Sequence, residues 1–260
     1  MTITAPKRLP SAESLTNSGF TNISTGVPAS DALRILILNL MPKKAETEAD
    51  IMRMLSASPV DLDITFAVPD QYKSKNTPQE YISKYYRTLS SVMQQTWHGM
   101  IVTGAPLDFV EYENVYYWHQ ICELMHWSRT HVRSTMWVCW GAFAALYHRY
   151  GIQKHTIPSK LSGVFRHTIL HPEHPLMENM TNNIHVPHSR HVITHTNQIL
   201  AQPRLMILTY SPEAGAYIIA ERNSRDIMIF GHPEYNATTL HNEYIRDLGK
   251  GINPHIPDHY

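Results

Sequence analysis

Two cysteines in 260 residues leave no material for a disulfide framework, and their scarcity suits a reducing compartment. No stretch approaches the roughly 20 consecutive apolar residues of a membrane span. Residues 1–28 also lack the apolar core of a secretion signal, so a soluble cytoplasmic protein with no membrane partner is expected. Net charge is missing too. Lys plus Arg number 22 and Asp plus Glu number 22, which leaves no global field to draw nucleic acid or an anionic surface. None of the 17 histidines has the tight spacing of a zinc site such as His-Glu-x-x-His, and no metal is expected. Internal repeats and low-complexity tracts are absent as well. What remains is a chain long enough to bury a full core, with small-molecule chemistry as its natural work.

Residues 1–30 are rich in Ser, Thr, Pro and Asn with little apolar periodicity, and are expected to form an arm on the surface or across a partner subunit. From residue 31 to 260 the pattern is that of a single α/β domain. Arg34 to Leu40 is a nearly unbroken apolar run, which a strand buried on both faces of a parallel sheet requires. Lys43 to Ser56 follows with Ala45, Ala49, Met52 and Leu55 at helical spacing and acidic residues early, where the helix dipole favours them. Leu62 to Val68 is a second strand, Gly99 to Pro106 reads as a third buried strand ending in a glycine-containing loop, and helices are expected around Glu80 to Leu89 and Val115 to Thr130. Cys122 falls in the apolar stripe of the latter and is expected in the core. This alternation predicts an open, mostly parallel, doubly wound sheet with flanking helices. Beyond Tyr150 the strands become shorter, at 161–165, 206–210, 216–220 and 227–230, and can extend the sheet antiparallel before a last helix over 236–249.

The chain is organised around Ser134 to Leu146. A short β-type run ends at Cys139, followed by Trp140-Gly141 and a helix-forming Ala-Leu stretch, so Cys139 stands where a strand turns sharply into a helix. There the backbone N–H groups of the first helical turn point at the side chain, favouring a thiolate and supplying a place for an oxyanion. A cysteine after an apolar strand is also the pattern of a small buried hydrophobe. A nucleophile needs a base, and the last buried strand ends in Gly231-His232-Pro233-Glu234-Tyr235. Proline holds the segment near-extended, letting His232 and Glu234 project to one side and the carboxylate orient the imidazole. As a bare tripeptide, His-Pro-Glu is equally a polar loop.

Six blocks in this order resemble the homoserine O-acyltransferase family, also called homoserine transsuccinylase or transacetylase, whose fold is class I glutamine amidotransferase-like. They are Ile37 to Lys44 with Glu46-Thr47-Glu48, Thr103-Gly104-Ala105-Pro106, Val138-Cys139-Trp140, Lys160 to Val164, Pro187-His188-Ser189-Arg190, and Gly231 to Tyr235 followed by Glu243 and Arg246-Asp247. The resemblance implies a nucleophilic Cys139, His232 as general base and acid, and Glu234 as its orienting partner. It assigns Lys160 and Arg246 to the carboxylate of an amino-acid acceptor and leaves His188 and Arg190 without a role. It further implies a homodimer, acetyl-CoA or another acyl-CoA as co-substrate, and no permanently bound cofactor. Lys43 and Lys44 are candidates for the CoA phosphates.

The chemistry implied is ping-pong. The Cys139 thiolate takes the acyl group from the thioester, His232 protonates the departing CoA thiol, and the acceptor hydroxyl is then deprotonated by His232 as it attacks. Backbone N–H groups of Trp140 and of the Gly104-Ala105 loop are expected to hold the oxyanion. In the family, the residue two places after the proline of Thr-Gly-Ala-Pro accompanies acyl choice, glycine with succinyl and glutamate with acetyl. Here it is Asp108, whose carboxylate opposes the free carboxylate of a succinyl group, so acetyl-CoA is expected. Two departures from the family pattern bear on the acceptor: Phe143 stands where glutamine is usual, and the chain ends at Tyr260, short of the C-terminal segment of many members. L-homoserine is the expected acceptor and L-serine the alternative, since one methylene is worth only about 1–3 kcal/mol of discrimination. Homoserine O-succinyltransfer, a glutamine amidotransferase-type cysteine hydrolase and a non-catalytic binding protein are the competing readings.

Overall fold

The computed structural model describes residues 1–74, 76–222 and 225–260. The chain divides into two compact units, Met1–Pro106 with Val110–Met136, and Leu107–Phe109 with Trp137–Tyr260.

The first unit is built on β1 (Ile3–Thr4), α1 (Pro10–Asn17), β2 (Ile23–Ser24), β3 (Leu33–Leu38), α2 (Lys44–Leu55), β4 (Leu62–Val68), α3 (Gln79–Tyr85), β5 (Tyr86–Thr88), α4 (Leu89–Val92), β6 (Gly99–Val102) and α5 (Trp118–His131). Its sheet is parallel throughout. β3 pairs with β4 on one side and β6 on the other, which buries Leu36, Ile37 and Leu38 completely and explains their unbroken apolar run. β4 is shared lengthwise: Leu62 and Asp63 pair with β1, and Phe66 to Val68 with β5. The first thirty residues, expected as a surface arm, are woven into this unit. β1 and β2 pair in parallel, Leu9 and Ala12 are fully buried, and Ser11 on α1 donates to Glu48 on α2 at 2.5 Å. The expected helix at 80–89 is cut into α3, β5 and α4, because Tyr86 takes extended geometry to join β4.

β7 (Thr135–Val138) leads into the second unit, which holds α6 (Trp140–Tyr150), β8 (His155–Ile169), β9 (Asn183–Ile193), α7 (Thr196–Leu200), β10 (Leu205–Ile207), β11 (Thr209–Ser211), β12 (Gly215–Ala216), β13 (Ile218–Glu221), β14 (Asp226–Ile229) and α8 (Thr239–Gly249). Its strands serve two sheets rather than one. β13 runs antiparallel to both β10 and β14, while β12, β11, β8 and β9 form a separate antiparallel sheet. The α/β class with a parallel sheet stands as the alternation predicts. Of the late strands, β8, β9, β11 and β12 build their own antiparallel sheet instead of extending the parallel one.

β9 was not foreseen. Along it Val186, His188, Arg190 and Val192 are buried on one face, while Pro187, Ser189 and His191 are half-buried on the other, the period of two that a strand imposes. β8 and β9 keep register from Thr168 back to Leu161 and then shift between Thr156 and Leu161. That irregular stretch carries Pro158, which has no N–H to give a ladder, and Lys160.

Candidate active site

Cys139 is the N-cap of α6 and has φ +48°, ψ −113°, a conformation that side-chain-bearing residues rarely adopt. Two backbone bonds hold it there. Its N–H donates to the Ile229 carbonyl at 2.7 Å, and its own carbonyl accepts from the Phe143 N–H at 3.1 Å. Because Ile229 ends β14, the bond from Cys139 also fixes the strand end from which Phe230, Gly231 and His232 continue.

The expected trio comes together within the second unit. The His232 ring Nδ1 meets Glu234 Oε1 at 2.8 Å, and the ring is hydrogen-bonded to the Cys139 side chain. Burial works against an imidazolium here. The Glu234 carboxylate, and after it Cys139, outweigh it, and the pKa of His232 is held well above the ordinary imidazole value. The His232 N–H donates to the Pro187 carbonyl at 2.9 Å, anchoring this residue to β9. Gly231 is what allows that approach, since a Cβ there would stand 2.5 Å from Val186 Cγ1 and 2.9 Å from the Pro187 oxygen.

A cluster of charges of both signs lies in the same unit. Lys160 Nζ donates to Glu243 Oε2 at 3.1 Å and to Asp247 Oδ2 at 3.3 Å, and Arg246 Nε donates to Asp247 Oδ1 at 2.8 Å. Glu243 also accepts from Ser189 Oγ, and from the Tyr235 hydroxyl at 2.9 Å. Burial alone would raise the Glu243 carboxyl, but Lys160, Ser189, His232 and Tyr235 together bring it below its usual value. Ser189 and Tyr235 went unassigned in sequence. Ser189 lies on the face of β9 opposite His188 and Arg190, which no local pattern in the sequence announces.

Those two now have evident structural work. Arg190 is almost fully buried and donates to the carbonyls of Val192 at 2.9 Å, Ala214 at 2.7 Å and Phe230 at 3.3 Å, and to His188 Nδ1. Burial lowers its pKa to about 10, against the pull of Cys139 and Asp108, so it stays charged at neutral pH. His188 is neutral, its pKa pushed well down by burial and then by the positive charge of Arg190. Arg190 thus ties β9 to Phe230, two residues before His232.

Asp108 Oδ2 accepts the His191 N–H at 2.8 Å, while Lys154 Nζ caps the Asp108 backbone carbonyl at 2.8 Å. Trp140 is the first residue of α6 and is buried, so its N–H belongs to the opening turn of the helix. Gly104 and Ala105 directly follow β6 in the first unit. Phe143 packs edge-on against Phe230 with centroids 4.7 Å apart. Both border a cavity of about 220 Å³ together with Arg190, His195 and Glu213, which Cys139 does not line.

The candidate phosphate ligands fare differently. Lys43 is exposed and pairs with Glu46 at 2.9 Å. Lys44 is completely buried with its ammonium on the Asn39 carbonyl at 2.6 Å, and burial, opposed by Glu48, brings its pKa to about 7. It has no surface to offer a phosphate. Cys122 is half-buried rather than in the core, its thiol pushed up to about 11 by burial and by Glu113 and Glu123. Among the described residues no cluster of three or more metal-ligating side chains occurs, and no helix is long and apolar enough to cross a membrane.

In comparison with known families, residues 2–260 match the model described as homoserine O-succinyltransferase. The chain belongs to the homoserine O-succinyltransferase family. Members of this family among the similar proteins include a homoserine O-acetyltransferase of Methanomethylophilus alvi, 43% identical with all of this chain and 85% of that protein covered. A homoserine O-succinyltransferase of Aliivibrio fischeri is 40% identical, with 100% of this chain and 84% of that protein covered. Among solved structures, a glutamine amidotransferase of Thermotoga maritima aligns with a TM-score of 0.58 at 12% identity, over 84% of this chain and 85% of that one. That likeness is one of fold, and it agrees with the class I glutamine amidotransferase-like architecture expected for the family.

Proposed function

We propose that the chain is an amino-acid O-acetyltransferase that moves an acetyl group from acetyl-CoA through Cys139 to the side-chain hydroxyl of L-homoserine, a step of methionine biosynthesis. The observation that carries this reading is the juxtaposition, in one unit, of a strand-to-helix cysteine bonded to the His232–Glu234 pair and a mixed-charge cluster around Glu243. The family supplies the reaction class.

The thiolate of Cys139 attacks the acetyl thioester carbonyl, and the Trp140 N–H at the start of α6 receives the oxyanion. His232, held as imidazolium beside the thiolate, gives its proton to the departing CoA sulfur, leaving an acetyl-enzyme and a neutral ring. The acceptor hydroxyl then passes its proton to that ring while its oxygen attacks the acetyl carbonyl. Collapse of the second tetrahedral adduct expels the thiolate and restores the starting pair. Glu234 keeps the ring oriented and its charge compensated through both halves. An amino acid is a zwitterion, and the cluster offers both signs: Arg246 and Lys160 for the carboxylate, the latter released from Glu243 and Asp247, and those carboxylates for the ammonium.

Asp108 favours acetyl over succinyl. A second carboxylate brought beside it would face like-charge repulsion and incomplete solvation, a cost of roughly a few kcal/mol. The test is a matrix of initial rates with L-homoserine and L-serine, each with acetyl-CoA and succinyl-CoA. The expected best pair is L-homoserine with acetyl-CoA, and Asp108→Gly is expected to raise the succinyl-CoA rate. Faster turnover of L-serine, or no gain with succinyl-CoA in the variant, would overturn the acceptor or the acyl assignment respectively.

A further inference from the structure

Tyr235 directly follows Glu234 and touches both halves of the site. Its ring lies flat on the His232 imidazole, with centroids 4.1 Å apart and planes 16° from parallel. Its hydroxyl donates to Glu243 Oε1 at 2.9 Å, and the other oxygen of that carboxylate takes Lys160 and Ser189. A hydrogen bond to Glu234 fixes His232 Nδ1 but leaves the ring free to tilt about the line through that bond. A stacked ring removes the tilt. The phenol is also kept protonated and donating, because burial and then the Glu243 and Glu234 charges push its pKa well above the ordinary tyrosine value.

Space-filling alone would ask only for the ring. The hydroxyl bond gives Tyr235 a second anchor in the cluster assigned above to the acceptor, so whatever shifts Glu243 also shifts the surface on which the imidazole rests. We propose that Tyr235 is a positioning residue that couples occupancy of the acceptor cluster to the tilt of His232, aligning the base for the second half-reaction when the acceptor is bound. This inference rests on the acyl-enzyme reading. Its consequence is a division of effect. The acylation half runs before the acceptor arrives and needs the stacked ring, whereas the deacylation half needs the hydroxyl as well.

Two variants separate these demands in the full-length chain. Tyr235→Phe keeps the ring and deletes the bond to Glu243, while Tyr235→Leu deletes both. The readouts are the rate of the CoA burst from acetyl-CoA without acceptor, and kcat and KM for the acceptor at steady state. Tyr235→Phe is expected to lose about tenfold more in acceptor kcat/KM than in burst rate, the size of one hydrogen bond to a charged group. Tyr235→Leu is expected to lose comparable factors in both. Equal losses in both readouts for Tyr235→Phe would overturn the coupling and leave a packing role. So would the same split in Tyr235→Leu as in Tyr235→Phe. A wild-type enzyme with no burst would instead remove the acyl-enzyme reading itself, and the inference with it. Should Tyr235→Leu fail to fold, Tyr235→Phe alone decides between split and equal loss.

Discussion

Cys139 is held with φ at +48°, where a β-carbon is strained. The strain places the thiol at the end of β7 and lets the opening turn of α6 face it. Removing the side chain shows how large it is. Cys139→Gly and Cys139→Ala are both expected to be inactive, but the glycine variant should be more stable by about 1 kcal/mol, since glycine adopts positive φ without the clash. Paired thermal or urea melts check this. An alanine variant as stable as the glycine one would mean that the elbow is unstrained. In sequence, the trio was legible because each member sits at the end of an apolar run that has few alternatives to a strand. Ser189 and Tyr235 were not, because nothing local distinguishes them from ordinary polar residues; what draws them in is a hydrogen bond to Glu243, which lies 54 positions from the one and 8 from the other.

Among the elements, β9 does most to build the site while giving least notice of itself. Its buried face alternates valine with histidine and arginine, so a pattern search for apolar alternation passes over it, and only the pairing with β8 makes His188 and Arg190 inward residues. β3, β4, β6 and β7, by contrast, were read to within a few residues because burial on both faces demands apolar side chains throughout. Where propensity misled, pairing explains the outcome, as when Tyr86 left the expected helix to join β4. β9 also supplies a sharp test of how His232 is placed. Gly231→Ala would drive a methyl group into Val186 and the Pro187 carbonyl, prising His232 from its bond to β9. It is expected to cost about 1–3 kcal/mol of stability, the usual range for overpacking, and to lower turnover more than substrate affinity. Denaturant titration and steady-state kinetics check both. Unchanged turnover would show that the contact between β9 and the strand end does not set the position of the base.

At the scale of the whole chain, composition excluded more than it identified: no disulfide scaffold, no dominant charge, no spanning segment. The order of six short blocks carried the family, and the match over residues 2–260 bears it out. Fold likeness alone would not have done so, because amidotransferases share this architecture at 12% identity while being named for different chemistry. On the function proposed, what separates an acyl carrier from a hydrolase of the same fold is the fate of the group on Cys139. The most direct measurement is therefore peptide mass spectrometry after mixing the protein with acetyl-CoA in the absence of acceptor. The expected result is one acetyl group on the peptide that carries Cys139, with stoichiometric release of CoA, absent in Cys139→Ser and discharged by adding L-homoserine. Product formation at full rate with no acetylated Cys139, accompanied by intersecting rather than parallel initial-rate lines, would contradict it.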